Sequence, residues 1–283
     1  DSSCDLPVEI IEEYDIGVVP VSIYFPDETR TQYIDISTEE FFKKIMEEDV
    51  AATTGVPAPK RFKEVFDRIL AEYEEAIMLT LSKDLSGIWA SSVLNAKNMT
   101  NNKVTVIDTR TTTLPFGLIT LKVARMIRDG AQKETVLDRL KNDFIPKVRL
   151  QAFVGSLKYL KRSGRIDSLQ HILGELFQFK PLITIEDGKL ASHKRVRGDK
   201  ATMEFLKNLG SKLLKNLPEN ETLIVIHSHN FSKAEELTNY LLERASKSLE
   251  ILTWEIGPAI GVHVGPGAIG LTWIGISPDN LLE

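Results

Sequence analysis

Ala76-Ile77-Met78-Leu79-Thr80-Leu81, then Ser82-Lys83-Asp84-Leu85-Ser86-Gly87, and, past a helical span at about 87–99, Val104-Thr105-Val106-Ile107: this succession decides the fold class. The two outer runs are short and largely apolar, as strands covered on both faces are. Strand, helix, strand in that order is the unit of a parallel sheet. Upstream, Ser37-Thr38-Glu39-Glu40 reads as a capping box with Ser37 as N-cap, opening a helix through Phe41, Phe42, Ile45 and Met46. Pro59 suits the first turn of another helix carrying Phe62, Phe66, Ile69 and Leu70. Downstream, helices are expected at about 114–129 and 132–144.

The pattern changes near Pro146. A strand at 150–154 and a short helix at 157–161 come first. Pro181 to Ile185 and Leu190 to Arg195 then flank Glu186-Asp187-Gly188, a turn of hairpin type. A long helix at 199–216, a strand at 222–227, a helix at 232–247 and strands at 249–255 and 268–275 follow. With a boundary near 147, the reading is two α/β domains. Residues 1–146 form a three-layer α/β/α domain with a mostly parallel sheet, and residues 147–283 a mixed-sheet α/β domain.

Composition narrows the function classes. Of 283 residues, 42% are apolar and 27% charged, the balance of an ordinary globular protein. The single cysteine, Cys4, excludes an internal disulfide and fits a cytoplasmic protein. Thirty-five Lys and Arg against forty Asp and Glu give a net charge of −5, which argues against nucleic acid as a partner. No apolar run approaches the roughly 18 residues that span a bilayer, and no secretory signal pattern opens the chain. It starts on Asp1-Ser2-Ser3 without an initiator Met, so a short preceding piece is expected. Between 158 and 200, ten basic residues face five acidic ones. That stretch is either a set of solvated faces or a surface for an acidic partner or a phosphate.

Several motifs fail on inspection. Gly265-Pro266-Gly267-Ala268-Ile269-Gly270 matches G-x-G-x-x-G, but the 13 residues after it begin as a strand, so it is no dinucleotide fingerprint. His227-Ser228-His229 has no third ligand at metal spacing. No Walker lysine motif, H-E-x-x-H or G-x-S-x-G elbow occurs. What remains is small hydroxyl residues in turns. Thr53 to Pro59 joins two helices, and Leu81 to Gly87 leaves a buried strand to enter a helix. Ligands of open α/β sheets sit beyond the carboxyl ends of strands, where helix N-termini favour anions. Ser86 beside Gly87 either helps hold an anion there or is simply the N-cap. His263, in a turn between Gly261 and Gly265, either donates to a carboxylate or bonds backbone. The residues alone describe an anion binder with no evident catalyst.

The same residues carry a resemblance to the DegV family of bacterial fatty-acid-binding proteins. Asp1 to Leu6 is similar to D-S-S/T-x-D-L, Thr54 to Pro59 to T-S-Q-P-S-P, and Leu81 to Gly87 to L-S-S-G-L-S-G. Val106 to Thr109 is similar to V-x-D-S/T, and Leu157 to Ile166 to L-x-Y-L-x-x-G-G-R-I. Lys180-Pro181 with Asp187-Gly188, and His263 to Gly270 as H-x-G-P-G-A-I/L-G, complete the series. The resemblance implies one long-chain fatty acid, about C14–C18, in an apolar tunnel, with its carboxylate between the two domains. It implies no cofactor and no catalytic residue. The protein would be the lipid-presenting subunit of a fatty acid kinase. A separate Dak-type subunit would phosphorylate the carboxylate with ATP, and the acyl phosphate would enter phospholipid synthesis. Membrane contact would be transient, without insertion. Thr54, Ser86 and His263 correspond to the carboxylate contacts, Arg165 and Arg197 to arginines at the pocket mouth or kinase surface, and Ser82, Gly87 and Gly265 are further candidates.

The chain departs from the family pattern at Gly55, Val56, Lys83, Asp84, Ser163 and Pro115, all in or near loops. None of these is a carboxylate candidate. The competing reading is an enzyme, a phosphotransferase or hydrolase using His263 on a small anionic substrate in the interdomain cleft.

Overall fold

The computed structural model describes residues 1–166, 169, 179–246 and 248–282. Asp167 and Glu175 of the basic stretch, and Lys247, lie outside them. A 3-10 turn at Ser2–Cys4 leads into α1 (Val8–Glu13), β1 (Ser22–Tyr24), β2 (Thr29–Thr31), α2 (Thr38–Glu47), β3 (Thr53–Gly55), α3 (Pro59–Glu72), β4 (Ala76–Thr80), α4 (Ile88–Met99), β5 (Val104–Asp108) and α5 (Thr113–Arg128). Next come α6 (Lys133–Arg139), a π-turn at Leu140–Phe144, α7 (Ile145–Lys147), β6 (Val148–Phe153), α8 (Lys158–Arg162), β7 (Phe179–Glu186), β8 (Lys189–Arg197) and α9 (Gly198–Asn216). The chain finishes with β9 (Thr222–His227), α10 (Phe231–Leu242), β10 (Glu250–Glu255), α11 (Pro258–Val264), β11 (Ile269–Ile274) and α12 (Asp279–Leu282).

The α/β class holds. β4 and β5 pair in parallel, and successive side chains of β4 turn to opposite faces as a strand's geometry requires. Met78 turns to the cluster with Phe62 and Phe66 of α3, and Leu79 to the cluster with Leu114 and Leu118 of α5. That is a helix–sheet–helix sandwich. The expected mostly parallel sheet is limited here to this pair. β2, β1 and β3 make a separate antiparallel sheet, whose three-residue strands are too short to show a period in the sequence.

The larger sheet is mixed, in the order β10-β9-β11-β6-β7-β8. β9 is buried along its whole length. Leu223 and Val225 face the α9 and α10 side, while Ile224 and Ile226 join the cluster that includes α5. The largest apolar cluster therefore draws on residues from both sides of position 147.

Local signals act as read. Ser37 Oγ accepts from the Glu40 N–H at 3.2 Å, and the Glu40 carboxylate accepts from the Ser37 N–H at 2.9 Å. The β7–β8 loop is the two-residue Asp187-Gly188, with φ of +49° and +84°. Positive φ at both positions is the type I′ requirement that Asp-Gly meets.

Candidate functional site

Three separate segments converge on one cavity of about 150 Å³. Thr54 enters from β3, where it pairs with Ile23 of β1. Ser86 enters from the loop that leaves β4, and His263 from the last turn of α11. Two of these placements correct the sequence reading. Thr54 lies on a strand rather than in a helix-to-helix loop, because Ser22–Tyr24 offers it an edge. His263 lies on a helix rather than in a glycine turn. Pro258 sits at that helix's first turn and Gly261 packs against the Phe41 ring, so tertiary packing overrides the weak helix propensity of its glycine and valines. The N-cap of α4 is Gly87, not Ser86. The Ser86 hydroxyl still accepts from the Ile88 N–H at 3.3 Å.

Thr54 Oγ1 and His263 Nε2 are 3.0 Å apart, within hydrogen-bond reach. His263 Nδ1 is buried without a partner. Burial first, and the nearby Arg165 charge second, push the His263 pKa down to about 4. The imidazole is therefore neutral at pH 7, with one nitrogen unsatisfied in a place where such a group is costly. Arg165 borders the cavity, with its guanidinium anchored on the Ser163 carbonyl at 2.7 Å. Gly87 also lines it.

The other candidates fall elsewhere. Ser82 is buried and bonds the Gly188 carbonyl. Arg197 ends β8 and does not line the cavity. Gly265 ends α11 at φ +68°, and a Cβ there would collide with the Tyr159 ring. The glycine series that mimicked a nucleotide signature is thus a packing device between a helix and the following strand. Sequence reasoning missed Ser228. Its hydroxyl donates to the Gly265 carbonyl at 2.6 Å and accepts from the Ala268 N–H at 2.9 Å, fixing the turn that ends the His263 helix. His227 is neutral too, held down to about 4 by burial and by His229. Among the described residues no cluster fit for a metal occurs.

The apolar side of the cavity is continuous with a core cluster. Leu160 belongs to both, and Leu190 and Val264 line the cavity while packing on Val154, Leu157, Ile166 and Ile183. A larger cleft of about 880 Å³ opens where β6 and β7 separate beyond the Ala152–Ile183 and Phe153–Leu182 pairs. Its lining mixes polar and apolar residues and includes none of Thr54, Ser86 and His263. Size alone would choose that cleft. The smaller cavity is the better candidate because polar groups from three segments meet there at the end of an apolar run.

A family model described as an uncharacterised protein of the DegV family matches residues 1–275. The chain belongs to the DegV family. A DegV domain-containing protein of Caldanaerobacter subterraneus is 34% identical over 278 residues, covering 96% of this chain and 95% of the relative. The fatty-acid-binding DegV protein of Thermus thermophilus superposes with a TM-score of 0.86 at 28% identity, over 98% of both chains. A stearic-acid-binding protein from Eubacterium ventriosum superposes with a TM-score of 0.82 at 25% identity, over 97% of this chain and 96% of the other. In this DegV protein the motifs T-T-G-V-P, L-S-K-D-L-S-G and H-V-G-P-G, far apart in sequence, are the ones that meet at the cavity or pack its supporting turn.

Proposed function

We propose that this DegV protein binds one long-chain fatty acid, with its carboxylate at Thr54, Ser86 and His263 between the domains 1–146 and 147–283. The observation that carries this reading is the meeting of those three polar residues with an apolar cluster behind them. The relatives' fatty acids support it. About 150 Å³ has room for a head group and a few methylenes, so the tail runs on past Leu160, Leu190 and Val264 and parts that cluster. Burying a C16–C18 tail at about 0.8 kcal/mol per methylene contributes on the order of 12 kcal/mol. An unpaired buried carboxylate costs several kcal/mol. The tail thus supplies affinity, and the polar residues offset the head-group cost.

The finer reading is a non-catalytic carrier in the cytoplasm. It presents the carboxylate to a separate ATP-dependent kinase subunit, with Arg165 and Arg197 facing that partner and acyl phosphate passing to phospholipid synthesis. Among the described residues, no helix is long and apolar enough to cross a membrane. His263 bonds Thr54 rather than a carboxylate that would orient it as a base, which favours the carrier over a hydrolase or phosphotransferase.

Solvent extraction and mass spectrometry of the purified protein test the reading. Co-purified acids of about C14–C18 length are expected; their absence, together with no measurable affinity for oleate, overturns it. Ser86→Ala and Thr54→Ala should each weaken oleate binding by about 1–3 kcal/mol, the cost of a lost partner for a buried charge. Titration calorimetry reads the difference, and parent-like affinity in both variants would move the carboxylate elsewhere. Leu190→Trp, on a partly buried wall, should shift the co-purified acids to shorter chains. An unchanged chain-length profile would place the tail on another path.

A further inference from the structure

We infer that Ser82 and Gly188 form a latch that positions Ser86 and governs release of the bound acid. The lipid half of this inference rests on the fatty-acid reading. Ser82 is fully buried yet lies outside the cavity. Every polar group it has is used. Its N–H donates to the Thr111 carbonyl at 2.8 Å, and its own carbonyl accepts from the Leu85 and Ser86 N–H groups at 3.0 and 3.2 Å. Its hydroxyl accepts from the Asp84 N–H at 3.2 Å and donates to the Gly188 carbonyl at 2.7 Å. The turn that carries Leu85 and Ser86 into the cavity is therefore built on Ser82.

Gly188 belongs to the β7–β8 turn, which leads through Leu190 into another wall of the cavity. It sits at φ +84°, and a Cβ there would stand 2.6 Å from Ser82 Oγ and 3.0 Å from the Asp84 carboxylate. Two residues on, Leu190 of β8 lines the cavity, as Leu81, Leu85 and Ser86 do. One buried hydrogen bond between residues 106 apart thus joins the two walls. The parallel strap, Arg110 to Asp187 at 3.2 Å, has an Asp187 side chain 97% exposed, and such pairs contribute little.

Losing the Ser82 hydroxyl leaves the buried Gly188 carbonyl unpaired and frees the part-buried Asp84 N–H, which favours the parted state. Local openings of this kind are read by amide hydrogen exchange. In lipid-free protein, Ser82→Ala should lose protection at 82–88 and, together with it, at 186–190. In loaded protein it should release cis-parinaric acid about tenfold faster, the effect of one buried hydrogen bond. Ser82→Cys keeps the volume with a weaker donor and should fall between. Arg110→Ala should release at the parent rate.

Unchanged exchange at 186–190 in Ser82→Ala overturns the latch. Coupled exchange with an unchanged release rate overturns its hold on the ligand. If the parent itself takes up no parinaric acid, the fatty-acid reading falls, and hydrogen exchange alone still decides whether the latch exists.

Discussion

Asp5→Ala is expected to lower the free energy of unfolding by about 4 kcal/mol, the largest single effect among the residues around the site. Asp5 is buried at φ +51° in the turn after the N-terminal 3-10 helix. Its carboxylate accepts from the Thr113 hydroxyl at 2.7 Å and the Gln32 amide at 3.2 Å, and also from the Gly257 N–H. Gln32 in turn accepts from the Ala259 N–H at 3.1 Å. The network ties the start of α5 and the end of β2 to the first turn of α11, the helix that carries His263. Alanine would strand three donors and sit in a left-handed conformation that costs roughly 1 kcal/mol.

Asp5→Asn separates shape from charge. Burial, opposed by the bonds from Thr113, Gln32 and Gly257, lifts the Asp5 pKa from 3.8 to about 7. A carboxyl raised in the folded state holds its proton longer there than in the unfolded chain. Its contribution is fully present below pH 3.8 and is lost as pH rises through about 7, at up to about 1.4 kcal/mol per pH unit. Asparagine does not titrate. The stability gap between parent and Asp5→Asn should therefore shrink from pH 5 to pH 8. Urea denaturation at both pH values reads the gap, and the His227 and His263 contributions cancel between the two proteins. A gap of constant size would mean that Asp5 does not titrate in that range.

These residues show where the sequence was legible. The runs at 76–81 and 104–107 announced strands because both of their faces are covered, which favours apolar residues at most positions. The capping box and the Asp-Gly turn are local chemistry and read correctly. Thr54, Ser86 and His263 were reached through the resemblance, since their chemistry alone left structural roles open. Asp5, Ser228 and the Ser82–Gly188 bond were not legible as devices. Each is an ordinary polar residue whose partner lies between 27 and 108 residues away. No periodicity marks such a pair. The same holds for α11, whose Pro-Ala-Ile-Gly-Val-His-Val sequence reads as a turn until Phe41 is brought against Gly261.

His263→Ala should weaken oleate binding by about 2 kcal/mol, roughly thirtyfold, and remove its pH dependence between pH 6 and 8. In the lipid-free protein the imidazole is held at about 4. A carboxylate beside it favours the imidazolium, so binding raises that value. Where the pH lies between the free and bound values, binding takes up a proton. Parent affinity should therefore rise as pH falls through the bound value and flatten above it, while the alanine variant stays flat. His263→Gln restores a neutral donor near Thr54 without the charge, and should recover part of the affinity and none of the slope.

The lipid-free protein responds with the opposite sign. A base whose folded pKa is depressed below its ordinary 6.5 contributes stability that is fully present above 6.5 and lost as pH falls towards about 4. Removing the imidazole removes that loss, so His263→Ala should resist acid better than the parent when empty while binding lipid worse. A merely structural histidine would not pair these two changes. Affinity titrations at pH 6, 7 and 8, with urea denaturation of the delipidated protein at pH 5 and 7, read both. Parent-like affinity and slope in His263→Ala would take the carboxylate anchor away from this residue and leave it to Thr54 and Ser86.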